Sequence, residues 1–146
     1  MINQFKDKYF FLSNFYPSKM NIDGEEYATV EHYFQAMKAN NSKQRMEIQN
    51  AKTPQIARRL GRKCNLIKGW EKIKLDVMEK ALRVKFTNNE LRRLLIETGD
   101  EELIEGNHWG DEYWGLVLSS GIGENHAGKL LMKIRNELQL TLINDI

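Results

Sequence analysis

Glu31, Gln35 and Lys38 recur at i, i+4 and i+7 in "TVEHYFQAMKA". On a helix this spacing lines a carboxylate, an amide and an ammonium along one edge, within about 10 Å at 1.5 Å rise per residue. Such a set can move protons and steady a developing positive charge. The flanking sequence is dense in rings: Phe10, Phe11, Phe15, Tyr16, Tyr27, Tyr33 and Phe34. A carboxylate among aromatics loses hydration, and its pKa rises toward the range useful for proton transfer. The competing reading is a solvated polar face; the aromatic density favours the chemical one.

A second acid, Asp111, stands between Trp109 and Trp114 in the glycine-broken stretch "HWGDEYWG". Rigid aromatics beside an acid suit a planar ring ligand that stacks while a polar handle fixes it; core tryptophans beside a surface acid would look the same. In "GENHAGKLLM", Gly123, Gly128 and Lys129 have the G-x-x-x-x-G-K spacing of a phosphate-binding loop. The hydroxyl residue that would hold magnesium after the lysine is missing, since Leu130 follows, and only one helix remains downstream. What survives is a glycine turn opening a helix, whose free N–H groups and Lys129 form an anion seat. A third stretch, residues 53–74, carries Arg58, Arg59, Arg62, Lys63, Lys68, Lys72 and Lys74, with Ala57, Gly61 and Ile67 spaced as in a helix-turn-helix. It supports a nucleic-acid-binding module as the alternative function. Against it, a recognition helix from Cys64 would contain Gly69 and bury Trp70.

Positioning these groups falls to a chain of 146 residues, which reads as one domain able to bury about 70% of its unfolded surface. Cys64 is the only cysteine, which excludes an internal disulfide. His32, His108 and His126 are scattered without a cysteine partner, so Cys/His metal spacing is absent. No apolar stretch reaches the roughly 20 residues of a membrane span. The expectation is a cytoplasmic protein with no membrane partner, no cofactor and no metal. With 22 basic and 20 acidic residues, the net charge of +2 does not by itself argue for nucleic acid.

The elements follow from periodicity and caps. A small hairpin turns at Asp23-Gly24. Thr29 caps a helix with Val30, Tyr33, Phe34 and Met37 on its apolar face. Helices are expected from Ser42 to about Asn50, from Pro54 to Gly61, and from about Gly69 to Phe86 with Trp70, Ile73, Val77, Met78, Ala81 and Leu82 inward. Asn88 caps another, closed by Gly99, and a final helix spans about Asn125 to Leu140, burying Leu130, Leu131, Ile134 and Leu138. "ELIEGNHWGDEYWGLVL" reads as loop with short extended pieces. The fold class is mainly α: a compact multihelical single domain, residues 1–146, with a small β-hairpin.

Several of these pieces, in this order, carry a resemblance. "FLSNFYPS", "DGEEYATVEHYFQAMKA", "ARRLGR", "DVMEKALRVKF", "NNELRRLLIETG", "DEYWG" and "GENHAGKLLMKIR" together resemble the NADAR (YbiA-like) family, from near residue 10 to near residue 136. The resemblance implies a compact, mainly helical domain and N-glycosidase activity. Some members cleave the N-glycosidic bond of phosphorylated early intermediates of riboflavin synthesis; others remove ADP-ribose from guanine. It makes Glu31 and Lys38 the leading catalytic candidates, matches Asp111 and Trp114 to D-x-x-W-G, and matches Asn125 and Gly128 to G-x-N-x-x-G.

The function expected is hydrolysis of a ribosyl N-glycosidic bond through an oxocarbenium-like sugar. Glu31 steadies the cation or activates water, and Asp111 is the second acid. Lys38 orients Glu31, assists the leaving group, or forms a transient imine. Phe15, Trp109 and Trp114 stack on the base or exclude solvent, and Asn14 and Gln35 add substrate contacts. Asn125, Gly128 and Lys129 hold a phosphate, with Arg62. The partner is a ribosylated small molecule or ADP-ribosylated guanine in nucleic acid. A non-catalytic ligand-binding domain is the third reading.

Overall fold

The computed structural model describes residues 1–144; positions 145 and 146, the last two of the expected domain, lie outside the described residues. The chain forms two compact units, Asn14–Lys85 and a second that joins Met1–Ser13 to the chain from Phe86 onward. The fold is mainly helical, and among the described residues no helix is long and apolar enough to cross a membrane.

In Asn14–Lys85, β1 (Met20–Ile22) pairs antiparallel with β2 (Glu25–Tyr27) in the register Met20↔Tyr27 and Ile22↔Glu25. Asp23 and Gly24 both take positive φ, 55° and 83°, as a two-residue hairpin turn matched to strand twist requires. Helix α1 (Val30–Lys38) begins at Thr29, whose Oγ1 accepts the His32 N–H, and packs against β2 and three helices. These are α2 (Ser42–Gln49), α3 (Pro54–Lys63) and α4 (Trp70–Lys85). Seven consecutive residues of α1, Val30 to Ala36, are buried, so it is a core helix wrapped on nearly all sides.

Each neighbour starts where its side-chain chemistry dictates. Asn41 Oδ1 accepts the Gln44 N–H at 2.9 Å, and Thr53 Oγ1 accepts the Ile56 N–H at 3.1 Å with Pro54 opening the first turn of α3. Trp70 meets Phe34 edge-on at 5.1 Å between centroids. Lys85, at the end of α4, is fully buried with its ammonium 5.6 Å above the Tyr16 ring, and burial pulls its pKa down to about 7.

Three expectations for this unit need correction. Gly61 does not end α3 or form a turn; the helix continues to Lys63. The helix-turn-helix spacing therefore fails, and the next helix opens with a buried Trp70. Ile73 is 39% exposed. At 100° per residue the buried face of α4 centres near Ala81, Lys85 and Met78, and Ile73 falls well off it.

In the other unit, residues Asp7–Leu12 form a 3-10 helix that buries Phe11 and Leu12. Helix α5 (Asn89–Glu97) is capped by Asn88 Oδ1, which accepts from the N–H groups of Glu90 and Leu91, and packs on α6 (His126–Asn144). The buried Arg135 of α6 donates to Thr98 Oγ1 at 2.9 Å. Helix α6 runs beyond the expected Leu140, leaving Leu140, Leu142 and Ile143 exposed. The short extended pieces expected in "ELIEGNHWGDEYWGLVL" are two-residue strands, β3 (Gly106–Asn107) and β4 (Leu116–Val117), paired parallel.

Candidate active site

The polar edge of α1 is not solvated. Glu31 is 7% exposed and Gln35 5%, because α3 packs along that edge. Gly61 makes the close approach possible: a Cβ there would stand 2.0 Å from Gln35 Oε1 and 2.8 Å from its Cδ. Glycine inside a helix costs about 1 kcal/mol relative to alanine, and this contact explains its presence. Gln35 Nε2 donates to Glu31 Oε1 at 2.7 Å, while Gln35 Oε1 is buried without a hydrogen-bond donor.

Charge gathers around this pair. Burial holds the Glu31 carboxyl above its usual range, and the Gln35 hydrogen bond, then the Arg58, Lys38 and Arg62 cations, pull it back. Burial likewise brings the half-buried Lys38 ammonium below its usual value; Glu31 and Cys64 oppose that shift, while Arg58 and Arg62 add to it. The Lys38 Nζ lies 5.5 Å from the Phe34 ring centroid. Arg58 and Arg62 stand one turn apart on α3, the first half-buried and the second exposed. Asn14 is at the start of α1, where its carbonyl accepts the Glu31 N–H at 3.1 Å, and the half-buried Phe15 follows it. The structure thus brings Glu31, Gln35, Lys38 and Arg62 together within Asn14–Lys85.

Asp111, Trp114, Asn125, Gly128 and Lys129 form a second group, in the other unit. Asp111 Oδ1 accepts from the Tyr113 N–H at 3.1 Å and the Trp114 N–H at 2.9 Å, bracing the turn that carries Trp114. Asn107, 1% exposed, grips Asp111 from behind: its Oδ1 accepts the Asp111 N–H and its Nδ2 donates to the Asp111 carbonyl. Trp114 is half-buried, edge-on to Tyr113, whereas Trp109 is 63% exposed.

The glycine turn is occupied by packing. Asn125, at φ 53°, donates from Nδ2 to the Leu103 carbonyl and accepts the Glu105 N–H on Oδ1. A Cβ at Gly128 would stand 2.0 Å from the Leu103 oxygen. The first N–H groups of α6, on His126 and Ala127, donate to the carbonyls of Tyr113 and Trp114. The anion seat expected there is correspondingly depleted: the His126 and Ala127 N–H groups and both polar atoms of Asn125 already have protein partners, while Lys129 is exposed.

Sequence reasoning missed two residues of these groups. Arg58 was indistinguishable from the solvated cations of its basic run; its position four residues before Arg62 was the available signal. Asn107 looked like one more polar residue in a loop.

Comparison with known proteins places the chain in a class. Residues 2–139 match the NADAR domain, and the chain belongs to that family. It is 42% identical over 137 residues to the N-glycosidase YbiA of Escherichia coli, covering 92% of this chain and 84% of that protein. Its fold matches the solution structure of E. coli YbiA with a TM-score of 0.85, at 39% identity, over 98% of this chain and 89% of that one. An N-glycosidase of Nostoc punctiforme is 40% identical over 134 residues, 87% of this chain and 84% of that protein. A riboflavin biosynthesis protein of Vibrio vulnificus is 36% identical over 132 residues, 88% of this chain but 35% of that longer protein.

Proposed function

We propose that this protein hydrolyses the N-glycosidic bond between a ribose and a base or amine, with Glu31 and Lys38 at the reacting atoms. The observation that carries the reading is a carboxylate, nine-tenths buried, held by an amide and facing three cations. The C1′–N bond breaks with its electron pair going to nitrogen, which takes a proton from the Lys38 ammonium. Glu31, ionised, steadies the oxocarbenium sugar and then takes a proton from the water that adds to C1′. Glu31 then gives its proton up to solvent while solvent returns one to Lys38, and the products are the free base or amine and the sugar. The lowered pKa of Lys38 makes its proton easier to transfer. Arg62, exposed, and Arg58 suit a phosphate on the sugar.

The names of the relatives support this reaction, and the riboflavin-related one, taken with the family resemblance, favours a phosphoribosylamino intermediate of riboflavin synthesis as substrate. ADP-ribosylated guanine is the other substrate to test. Incubation with each, followed by chromatography of base and sugar, should show release from the phosphoribosylated amine, undiminished by a chelator because Glu31 and the cations supply the charge. Release from neither substrate would overturn the reading. The nucleic-acid-binding reading keeps one observation in its favour: Arg59, Arg62, Lys63, Lys68 and Lys72 are all exposed. It requires affinity for nucleic acid that falls steeply with salt.

A further inference from the structure

We infer that Gly61 is a positioning residue for the reaction: the space left by its missing side chain seats the Gln35 carboxamide, and Gln35 in turn holds the Glu31 carboxylate. This deepens the reading of Glu31 as the reacting carboxylate and rests on it.

The geometry runs through three residues on two helices. Gly61 lies inside α3, and its backbone is not among those with positive φ, so glycine is needed there for room and not for conformation. The three nearest atoms to a Cβ at this position all belong to Gln35: Oε1 at 2.0 Å, Cδ at 2.8 Å and Cβ at 3.0 Å. Real Cβ atoms do not approach this closely, so any side chain at position 61 must displace the carboxamide. Its other end donates to Glu31 Oε1 at 2.7 Å. Gln35 is itself buried, with little space to move and still keep that bond. Gln35 thereby serves Glu31 and does not need to touch the substrate. The buried Oε1, lacking a hydrogen-bond donor, lies against the Gly61 α-carbon, so the orphaned acceptor is part of the seating.

The effect on Glu31 has a definite sign. The Gln35 N–H stabilises the carboxylate form, so losing it moves the Glu31 titration to higher pH. The other charged groups acting on Glu31 are Lys38 on its own helix and Arg58 and Arg62 on α3, and neither Gly61→Ala nor Gln35→Ala alters them in kind. The test is a 13C NMR titration of the Glu31 side-chain carboxyl in the wild type, Gln35→Ala, Gly61→Ala and the double variant, with pH–rate profiles beside it.

The expected result is one higher midpoint shared by all three variants, with kcat lowered about 10- to 100-fold by misplacement of the carboxylate. A wild-type midpoint in Gly61→Ala would overturn the inference. If Gly61→Ala does not fold, the double variant, which lacks the clashing carboxamide, should fold and titrate like Gln35→Ala; its failure to fold would show that Gly61 serves other packing and would also overturn the inference. The NMR midpoint reports on positioning without turnover. An active Glu31→Gln enzyme would therefore sink the reaction assignment while this titration still judged Gly61 by itself.

Discussion

Glu31 and Asp111 are both acids set among aromatic residues, and their carboxylates are held in opposite ways. Asp111 accepts two backbone N–H groups of its own turn, so its oxygen builds the loop. Glu31 accepts a side-chain amide from the next turn of its helix, is buried, and draws its remaining compensation from cations on α1 and α3. An acid bound by its own backbone contributes shape; one buried against side-chain cations carries a charge that a reaction can use. Removing each charge separates the two kinds.

The largest effect is expected at Glu31. Glu31→Gln keeps the shape and an oxygen for the Gln35 N–H but cannot hold a charge, and turnover should fall about 10²- to 10⁴-fold. Stability should not fall with it. Burial raises the Glu31 pKa in the fold, so the folded chain binds this proton more tightly than the unfolded chain. The fold therefore loses stability as pH rises through that titration, and at neutral pH the glutamine removes this loss. Thermal unfolding at pH 7 should give a Tm equal to or above the wild type. A clear drop would mean that the carboxylate serves the fold, as at Asp111.

At Asp111 the opposite pattern is expected. Asp111→Ala leaves the Tyr113 and Trp114 N–H groups without their acceptor and should cost about 1–2 kcal/mol, read as a Tm lower by several degrees. Asp111→Asn retains an oxygen at the same place and should stay within about 0.5 kcal/mol of the wild type. Turnover of this variant then measures the charge apart from the brace. Equal destabilisation by alanine and asparagine would show that the charge, and not the turn geometry, supports this loop.

Much of this contrast was legible in the sequence, and the rest was not for identifiable reasons. Thr29, Asn88 and the Asp23-Gly24 turn act on residues two to four positions away, so their signals are local and the structure keeps them. The edge of α1 was legible as a stripe but not as buried, because the helix that covers it comes from residues 54–63 and periodicity reports a helix's own faces only. Gly61 looked like a helix end because glycine is a poor interior residue; what overrides that preference is Gln35, 26 positions earlier in the chain. The parallel pairing of β3 and β4 escaped because two residues cannot display an alternation. The Asp111 turn was visible as an acid in a glycine-broken loop, but Asn107 and the Trp114 N–H become part of its brace only in the folded turn.

The smallest effects separate the cations that compensate Glu31. Arg58 and Arg62 both favour the charged carboxylate and both disfavour the charged form of Lys38. Removing either should therefore move both limbs of the kcat/KM profile to higher pH: the acid limb because Glu31 loses a favourable neighbour, the basic limb because Lys38 loses a repulsive one. The shift should be larger for Arg58→Ala. Arg58 is half-buried and acts through a medium that screens poorly, while Arg62 is exposed and faces water and salt. Raising ionic strength should erase the Arg62→Ala shift and leave most of that of Arg58→Ala. Movement of one limb alone would show that Glu31 and Lys38 do not share one field, and the row on α1 would then be two independent groups.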